Sequence, residues 1–577
     1  MWTSPLSVAV AAASLALGTY YTGHLHVRFG APITEDESER FSCRPFLPNL
    51  FAETPPTTSH ASIGAAATTA DRFFTERFSK GDIDSLSIAV VTSDGVLFEK
   101  NWGVARGNES ATSPPTTSHS QYRIASVSKL FTALEGLILE ERGVLSWDDP
   151  INKYFEDYQF RLDGVDPQRP VEPREKTPMT LYQLATHTSG LGRDWPPCIV
   201  TGWPESLFGG GPPPTNGHPF PSHQALFDAI AKHHLISSPG SYPAYSNTGT
   251  GLLGIALAAA DSKAKGVSPA ITYADLLQRD IFEPMGLNGS HFLTTDANKH
   301  LVVVPSVGPE VATLLNPDHP KSRISRYSRD KWLQHVHAFE EDDWTEVGFI
   351  WEIIKQKDSN GRARKIYWKL GAMAGYHSAV AIHPGMGYGV VVLMGGRYPD
   401  AAKLAYDAFK IFQPAIDEAL ADLSAELYVG TWTDTENSLE KKSIARIVLH
   451  KGTLYIEEFM LQGTNALAKF GAEGRLALRS SMRRDEFRCA VSSISLARSH
   501  DGAIAVGSDG TAPLLRRVDT GLPGYNGKKH MGCYPYWNGQ DIWGVRNGAA
   551  INAIYFTGSG EGRRLHVPSL SLELKRA

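Results

Sequence analysis

The stretch YRIASVSKLFTALEGLILEE, residues 122–141, decides how the rest of the chain is interpreted. After Val127 its apolar residues recur at helical spacing, and Gly143 follows as a stop signal, so the stretch predicts a helix. Ser126 lies at the start of this helix, and Lys129 lies on the same face of its first turn. A hydroxyl at a helix N-terminus is next to unpaired backbone N–H groups, and a neutral amine beside it can take its proton. The two residues are therefore a candidate nucleophile and its base.

The alternative role of Ser126 is a helix N-cap, whose hydrogen bond to the backbone stabilises a helix by ~1 kcal/mol. A Ser-x-x-Lys pattern alone does not separate the two roles. The choice between them depends on two further stretches downstream.

The composition is that of a large globular protein. The chain has 577 residues, of which 42% are hydrophobic and 20% are charged, and its formal net charge is −5. Such a chain can bury a sizeable core and is long enough for more than one domain. Because the charges are nearly balanced and form no long basic run, nucleic acid is not an expected partner.

The N-terminal segment predicts entry into the secretory pathway. Residues 1–23 carry no charged side chain and include the apolar run Leu6–Gly18. We expect residues 1–23 to be a signal peptide or a signal anchor, with a buried helix as a third interpretation, and residues 24–62 to be a linker. A secreted chain would have glycosylation acceptors at Asn108 and Asn288, which begin Asn-x-Ser tripeptides. A membrane is an expected partner only if the segment remains as an anchor.

Residues 63–420 predict an α+β fold. Glycine-containing turns separate neighbouring apolar strands, and such short turns indicate antiparallel pairing. The predicted strands are Leu86–Thr92, Val96–Trp102, Lys365–Leu370, Tyr376–Ile382 and Gly389–Met394. The predicted helices are Ile63–Lys80, Thr180–Thr188, Gln224–His233, Thr248–Ala260, Tyr273–Met285 and Ala401–Phe412. Residues 289–345 give no clear pattern, and the Gly- and Pro-rich residues 195–221 predict a long loop.

Residues 425–577 predict a separate, smaller all-β domain, either a barrel or a sandwich. The predicted strands are Leu427–Trp432, Ile444–Leu449, Thr453–Phe459 and Ile504–Val506. Because Cys489 and Cys533 both lie in this domain, we expect a disulfide between them, and Cys43 would then pair with Cys198.

Two more short motifs accompany Ser126 and Lys129. Tyr245-Ser246-Asn247 lies on a loop that leads into a predicted helix, and Lys369-Leu370-Gly371-Ala372 lies at a strand end. Each alone has an ordinary explanation, namely a packed tyrosine, an asparagine cap or a surface lysine. Together and in this order, the three motifs resemble the serine β-lactamase and penicillin-binding-protein superfamily. The nearest branch has Tyr-x-Asn as its second motif and includes class C β-lactamases, esterases and D-amino-peptidases.

The surrounding sequence is similar as well. His187–Leu191 reads HTSGL, like a turn of that superfamily. Val347–Ile353 and Tyr367–Lys369 are similar to a fungal group of secreted β-lactamase-like proteins with an extra C-terminal β domain. The resemblance implies a β-lactamase/transpeptidase-like domain over residues 63–420, with an antiparallel sheet flanked by helices and an all-helical lobe, followed by the all-β domain.

The resemblance implies a role for each matching residue. Ser126 would be the nucleophile, Lys129 would accept its proton, and Tyr245 would share the proton transfer with the incoming water and the leaving group. Lys129 can act as a base only if its pKa lies well below the usual ~10.4. Burial and the charge of Lys369 would both lower that pKa. No cofactor and no metal is expected.

Substrate contacts are implied in the same way. Asn247 would hydrogen-bond the substrate, and Lys369 would orient Tyr245 and meet any substrate carboxylate. The backbone N–H groups of Ser126 and Ala372 would form the oxyanion hole.

Leu370 departs from the family pattern, which has Ser, Thr or Gly at this place. A hydroxyl there helps to bind the carboxylate of β-lactams and peptides, whereas leucine would present an apolar wall. The sequence therefore predicts a small ester, lactone or amide without that carboxylate as the substrate, rather than a β-lactam. Trp195, Trp203 and Phe208 would either line the cleft or pack locally.

Two other functions stay open. An acyltransferase or cyclase of a natural-product pathway would use the same acyl-enzyme, with an alcohol or amine in place of water. A non-catalytic binding protein would account for Leu370 but not for the presence of every motif residue. A metallohydrolase is disfavoured because His335-Val336-His337 lacks a following Asp-His pair, and an α/β-hydrolase because there is no Gly-x-Ser-x-Gly elbow. The sequence predicts no oligomeric state.

Overall fold

The computed structural model describes residues 44–107, 112–168, 170–171, 173, 176–197, 200–206, 220–295, 298–302, 322–373, 375–434, 442–470, 472, 474–490, 533 and 544–577. Several predictions lie outside these residues: the apolar run Leu6–Gly18, Cys43, Asn108, Cys198, Phe208 and the strand Ile504–Val506. Within the described ranges, no helix is both long enough and apolar enough to cross a membrane.

An antiparallel sheet forms the centre of the first part of the described chain. Its eight strands are β1 (Ile83–Thr92), β2 (Gly95–Gly103), β3 (His335–Ala338), β4 (Thr345–Gly348), β5 (Glu352–Lys357), β6 (Ala363–Met373), β7 (Tyr376–His383) and β8 (Tyr388–Gly396). Their order is β2-β1-β8-β7-β6-β5-β4-β3. The five strands expected here are present. The sequence did not predict β3, β4 and β5; β3 and β4 have only four residues each, which is too short for a clear pattern.

Helices lie on both faces of this sheet. The described chain contains α1 (Ala61–Phe78), α2 (Ser128–Glu141), α3 (Leu181–Ala185), α4 (His223–Lys232), α5 (Asn247–Lys265), α6 (Tyr273–Leu277), α7 (Glu283–Met285), α8 (Arg326–Trp332), α9 (Ala401–Tyr428) and α10 (Ala466–Lys469). A π-helical turn, Gln278–Phe282, joins α6 to α7, and a 3₁₀ turn, Ala125–Val127, precedes α2.

Two hydrophobic cores account for this arrangement. On one face, Phe74 of α1 and Phe412 of α9 pack against strand residues such as Val392. On the other face, the helical lobe has its own core, which includes Leu137 of α2 and Leu253 of α5. The expected sheet flanked by helices, with an all-helical lobe, is confirmed.

The C-terminal part forms a closed barrel. Its strands and their short neighbours are β9 (Gly430–Thr433), β10 (Ile444–His450), β11 (Thr453–Leu461), β12 (Thr464–Asn465), β13 (Leu476–Ser480), β14 (Glu486–Ala490), β15 (Val545–Arg546), β16 (Ala549–Ala550), β17 (Ala553–Thr557), β18 (Arg564–Val567) and β19 (Leu572–Arg576). In the described residues, β9, β10, β11, β13, β14, β17, β18 and β19 each pair with the next, and β19 pairs back onto β9. Closure leaves these strands without a free edge. The expected all-β domain is confirmed as a barrel.

The helix α9 joins the two parts. The sequence predicted that it ends at Phe412, before Pro414, but the helix continues through that proline to Tyr428. The predicted strand at Leu427 accordingly begins later, at Gly430. The expected boundary between residues 420 and 425 thus falls inside one continuous helix. The hydrophobic core on this side is also continuous from α9 into the barrel interior.

The predicted disulfide between Cys489 and Cys533 is wrong. Cys489 is a free thiol on β14, 1% exposed in the barrel core. Cys533 is disulfide-bonded, to a partner other than Cys489. The two cysteines lie in the same domain, but Cys489 points into the packed apolar interior of the barrel and is not available for a disulfide there.

Candidate active site

Ser126 lies in the 3₁₀ turn that leads into α2. Ala125 before it has a φ of 47°, which is uncommon for a residue with a side chain. Val127 closes the turn by donating its backbone N–H to the carbonyl oxygen of Ile124 at 3.1 Å. Val127 is also the residue that caps α2, and this helix has no side-chain capping hydrogen bond. The alternative interpretation of Ser126 as an N-cap is therefore wrong.

Two side chains converge on the hydroxyl of Ser126. Tyr245 Oη donates a hydrogen bond to Ser126 Oγ at 2.7 Å, and Lys129 Nζ donates to the same oxygen at 3.0 Å. Tyr245 comes from the loop before α5, and Lys129 comes from the first turn of α2. Both groups are within the distance that proton transfer requires.

The side chain of Asn247 is held at both ends. Its Oδ1 accepts a hydrogen bond from Lys129 Nζ at 2.7 Å, and its Nδ2 donates to Asp194 Oδ1 at 2.7 Å. Since an ionised carboxylate only accepts hydrogen bonds, Asp194 fixes which end of the amide faces Lys129. Asn247, predicted to bind substrate, thus also orients Lys129.

The loop that carries Tyr245 is anchored by His187. The two rings lie 4.6 Å apart, and His187 Nδ1 accepts the backbone N–H of Ser246 at 3.2 Å. Ser246 in turn caps α5, because its Oγ accepts the N–H of Gly249 at 2.8 Å. His187 itself has a φ of 58°, and this left-handed turn ends the short α3 region earlier than the sequence predicted. The imidazole therefore positions the tyrosine by packing against its ring and by holding the backbone of the next residue.

Lys369 projects from β6 toward the same tyrosine. Its ammonium lies 4.9 Å from the centre of the Tyr245 ring, and its side chain is 1% exposed. It forms an ion pair with Glu352, the first residue of β5, and donates to the carbonyl oxygen of Leu370 at 3.3 Å. The charge of this buried lysine is therefore balanced by a protein carboxylate.

The electrostatics favour a base at this place. Burial is the main cause that lowers the pKa of Lys129. Burial alone would raise the pKa of Tyr245, but the positive charges of Lys369 and Lys129 outweigh it and lower that pKa. Burial and the same two lysines lower the pKa of His187 to about 3, so its imidazole is neutral at ordinary pH.

The end of β6 passes very close to the Ser126 turn. A Cβ on Gly371 would overlap the carbonyl oxygen of Ile124 and the hydroxyl of Ser378, so only glycine fits. Ser378 ties the two segments together by donating its Oγ–H to Ile124 O at 2.9 Å. Ala372 is the next residue of β6 after this close approach. The oxyanion hole expected from the backbone N–H groups of Ser126 and Ala372 stays a prediction.

Leu370 does not form the apolar wall that the sequence suggested. Successive residues of β6 point to opposite faces, and Leu370 packs with Trp368 against the core on the α1 and α9 side. Trp195 packs against the core of the helical lobe, and Trp203 is 67% exposed. The argument against a substrate carboxylate therefore cannot rest on Leu370.

Sequence reasoning missed the roles of Asp194, Glu352 and His187. His187 belongs to the HTSGL turn that the resemblance already singled out, and Asp194 follows that turn closely. Glu352 begins a strand that the sequence did not predict. Glu352 lies in the stretch Val347–Ile353 that the resemblance included, but only the strand register places its carboxylate next to Lys369.

Two remaining predictions concern metals and glycosylation. In the part of the chain that the structure describes, no group of three or more His, Cys, Asp or Glu side chains could hold a metal ion. Asn288 lies exposed in the turn after α7. Its glycosylation stays a prediction.

Comparison with known proteins identifies a family. The family profile described as Beta-lactamase matches residues 70–306. Two curated relatives come from Strobilurus tenacellus. Beta-lactamase-like protein str5 is 37% identical over 40% of this chain and 84% of its own length. Beta-lactamase-like protein str6 is 30% identical over 53% of this chain and 98% of its own length.

A solved structure of a β-lactamase/D-alanine carboxypeptidase from Yersinia pestis is also similar, at 18% identity and a TM-score of 0.46, over 61% of this chain and 98% of that one. The str5 and str6 matches confirm the resemblance to fungal β-lactamase-like proteins. The chain belongs to the β-lactamase-like serine hydrolase family.

Proposed function

We propose that this protein is a serine hydrolase that cleaves a small ester, lactone or amide through an acyl-enzyme on Ser126. The observation that carries this proposal is the contact of Ser126 Oγ with both Tyr245 Oη at 2.7 Å and Lys129 Nζ at 3.0 Å. A serine hydroxyl is a weak nucleophile until a neighbouring base takes its proton. Here the positive charges near Tyr245 favour its deprotonated form.

The acylation step uses the groups that contact Ser126. The Oγ atom bonds to the substrate carbonyl carbon while its proton passes to Tyr245, directly or by way of Lys129. The carbonyl electron pair moves to oxygen, where the N–H groups of Ser126 and Ala372 would stabilise the charge, by ~3–4 kcal/mol per donor in well-studied cases. The bond to the leaving alcohol or amine then breaks, and that group takes the proton from Tyr245.

Deacylation repeats these transfers with water. Tyr245 takes a proton from water as the water oxygen bonds to the acyl carbon. The bond to Ser126 Oγ breaks, the proton returns to Oγ, and a carboxylic acid leaves. Asn247 and Asp194 hold Lys129 in place throughout.

Ester turnover by matched serine variants tests the proposal. Wild type, Ser126→Ala and Ser128→Ala are assayed against p-nitrophenyl esters of increasing acyl length. Ser128 lies two residues further along and is exposed, so its substitution controls for the loss of a hydroxyl from the same helix. We expect turnover in wild type and Ser128→Ala but not in Ser126→Ala. Equal turnover in all three proteins would refute the proposal.

The same experiment separates hydrolysis from acyl transfer. An acyltransferase or cyclase would pass the acyl group to an added alcohol or amine faster than to water, so the product ratio decides between them. A folded protein that turns over no ester would instead favour the non-catalytic binding role.

We also propose that the chain follows the secretory pathway. The uncharged, apolar N-terminal segment and the exposed acceptor Asn288 support this proposal. N-terminal sequencing and deglycosylation of the chain, expressed with a C-terminal tag in a eukaryotic host, test it. A retained Met1 on an unglycosylated, intracellular product would contradict it.

A further inference from the structure

The positively charged group that could meet a substrate carboxylate is already paired inside the protein. Lys369 is 1% exposed, and its ammonium forms an ion pair with Glu352 and a hydrogen bond to the carbonyl oxygen of Leu370 at 3.3 Å. Glu352 has a side chain that is 29% exposed, so this carboxylate is partly accessible to solvent. A substrate carboxylate that approaches Lys369 therefore meets a lysine whose charge is already paired with that of Glu352.

Backbone contacts fix the position of Glu352. In the turn before β5, Gly348 donates its N–H to Trp351 O at 2.8 Å, and Ile350 donates to Ala185 O at 2.9 Å, at the end of α3. Ile350 has a φ of 70°, which is a strained conformation for a β-branched residue. Ile350 and Trp351 are each 1% exposed, so packing holds the strained turn in place. The start of β5 is thus a fixed point and not a mobile surface.

We propose that Glu352 is a specificity-determining residue, whose carboxylate neutralises Lys369 and excludes substrates that carry a carboxylate on the leaving group. The inference deepens the proposed function and rests on it. It assigns the substrate class as neutral or cationic acyl donors. It also replaces Leu370, which points away from the site, as the reason for this preference.

The charges around the site support this assignment. Three cations lie near Tyr245: Lys129 and Lys369 lie 5.0 and 4.9 Å from its ring centre, and the Arg193 guanidinium lies 5.5 Å from it. Arg193 is itself paired with Asp194, at 3.3 Å. Without the carboxylate of Glu352, the charge of Lys369 would attract a substrate anion. With it, a second carboxylate near Lys369 would be repelled by the like charge of Glu352.

A pair of nearly isosteric esters tests the inference. Both have the same acyl group, and their leaving groups are 3-hydroxybenzoate, which is charged, and 3-hydroxybenzamide, which is neutral. The value of kcat/KM is measured for wild type, Glu352→Gln, Glu352→Asp and Glu346→Gln. Glu346 is a matched control because it also pairs with lysines of this sheet, at 2.5 Å from Lys365 and 3.2 Å from Lys355. Circular dichroism and labelling of Ser126 by a fluorophosphonate confirm that each variant is folded.

We expect wild type to prefer the neutral ester by at least ~10-fold, a difference that corresponds to one pairwise charge contact. Glu352→Gln should remove or reverse this preference, while Glu352→Asp and Glu346→Gln should keep it. An unchanged preference in Glu352→Gln would overturn the inference. So would an equal loss of preference in the Glu346→Gln control.

A binding measurement keeps this result separate from the proposed function. The two free phenols, 3-hydroxybenzoate and 3-hydroxybenzamide, are compared for their effect on the melting temperature of each protein. Only Glu352→Gln should be stabilised by the benzoate more than by the benzamide. If Ser126 is not labelled and no ester is cleaved, the proposed function fails, and this measurement still decides the role of Glu352. Stabilisation of wild type by the benzoate would overturn it.

Discussion

The substitution Glu135→Gln tests whether an uncharged carboxyl group lies inside the helix that carries the nucleophile. Glu135 is in the middle of α2 and is 0% exposed, and its carboxyl group faces the carboxylate of Asp280. Burial, followed by the negative charge of nearby Asp280, raises the pKa of Glu135 to about 9. Asp280 itself stays ionised, because Arg279 and Arg142 donate hydrogen bonds to it and lower its pKa against the effect of burial.

The sign of the pH dependence follows from this raised pKa. In the unfolded chain the group titrates near 4.5, so between that value and about 9 only the folded protein holds the proton. The contribution of Glu135 to the free energy of unfolding is therefore complete below the pKa that the group has in the unfolded chain. It declines by ~1.4 kcal/mol per pH unit as the pH rises between the two pKa values. Between pH 5.5 and 7.5 the decline is ~2.7 kcal/mol. Glutamine does not titrate there, so the variant lacks this contribution.

Urea unfolding at these two pH values, followed by tryptophan fluorescence, measures the difference. The control is Glu140→Gln, which removes a carboxylate from the same helix, where it is partly exposed and pairs with Lys331 at 2.7 Å. Between pH 5.5 and 7.5, the free energy of unfolding of Glu135→Gln should rise by ~2.7 kcal/mol relative to that of wild type. The free energy of unfolding of Glu140→Gln should change with pH as that of wild type does. If Glu135→Gln and wild type change in parallel, Glu135 is ionised in the folded protein and the reasoning is refuted.

Four further outcomes are expected. Asp194→Asn should lower kcat/KM ~10- to 100-fold without unfolding the protein. The variant loses one charge-assisted hydrogen bond, so the side-chain amide of Asn247 can rotate and present its NH₂ group to Lys129. An unchanged kcat/KM would contradict this. Gly371→Ala should lower kcat ~100-fold by pushing β6 away from the Ser126 turn, whereas Gly251→Ala, with open space around it, should not; equal rates would show that the close approach is unimportant. The value of kcat/KM should rise with pH as the base loses its proton. Because the pKa of Tyr245 is lowered, this rise should lie below the pKa of ~10 of free tyrosine. A rise centred above pH ~10 would exclude Tyr245 as the base. Cys489, whose pKa burial raises to about 12, should react with iodoacetamide only after unfolding, and rapid labelling of the native protein would place it outside the barrel core.

Much of the site could be predicted because its chemistry is local in sequence. Ser126 and Lys129 are one helical turn apart, so helical spacing alone placed them together. Tyr245 and Lys369 are distant from them in sequence, and it was the resemblance, carried by short motifs in a fixed order, that joined them. The geometry then added distances that no pattern contains, such as the 2.7 Å between Tyr245 Oη and Ser126 Oγ.

The parts that could not be predicted depend on tertiary contacts. The ion pair of Glu352 requires the register of β5 against β6, and β5 itself gave no recognisable pattern. The orientation of Leu370 follows from which face of β6 is the core, which its motif does not reveal. The helix α9 passes through Pro414 because packing against the sheet outweighs the lost backbone hydrogen bond. The cysteine pairing failed because domain membership says nothing about which side chains face inward.

The most direct test of the account is the mass of the protein during ester turnover. A slowly hydrolysed ester is added, the reaction is stopped in acid, and the peptides are analysed by mass spectrometry. The account predicts one added acyl group, on the peptide that contains Ser126, which disappears as product forms and is absent from Ser126→Ala. An acyl group on another residue, or turnover with no acylated peptide at any time, would contradict it.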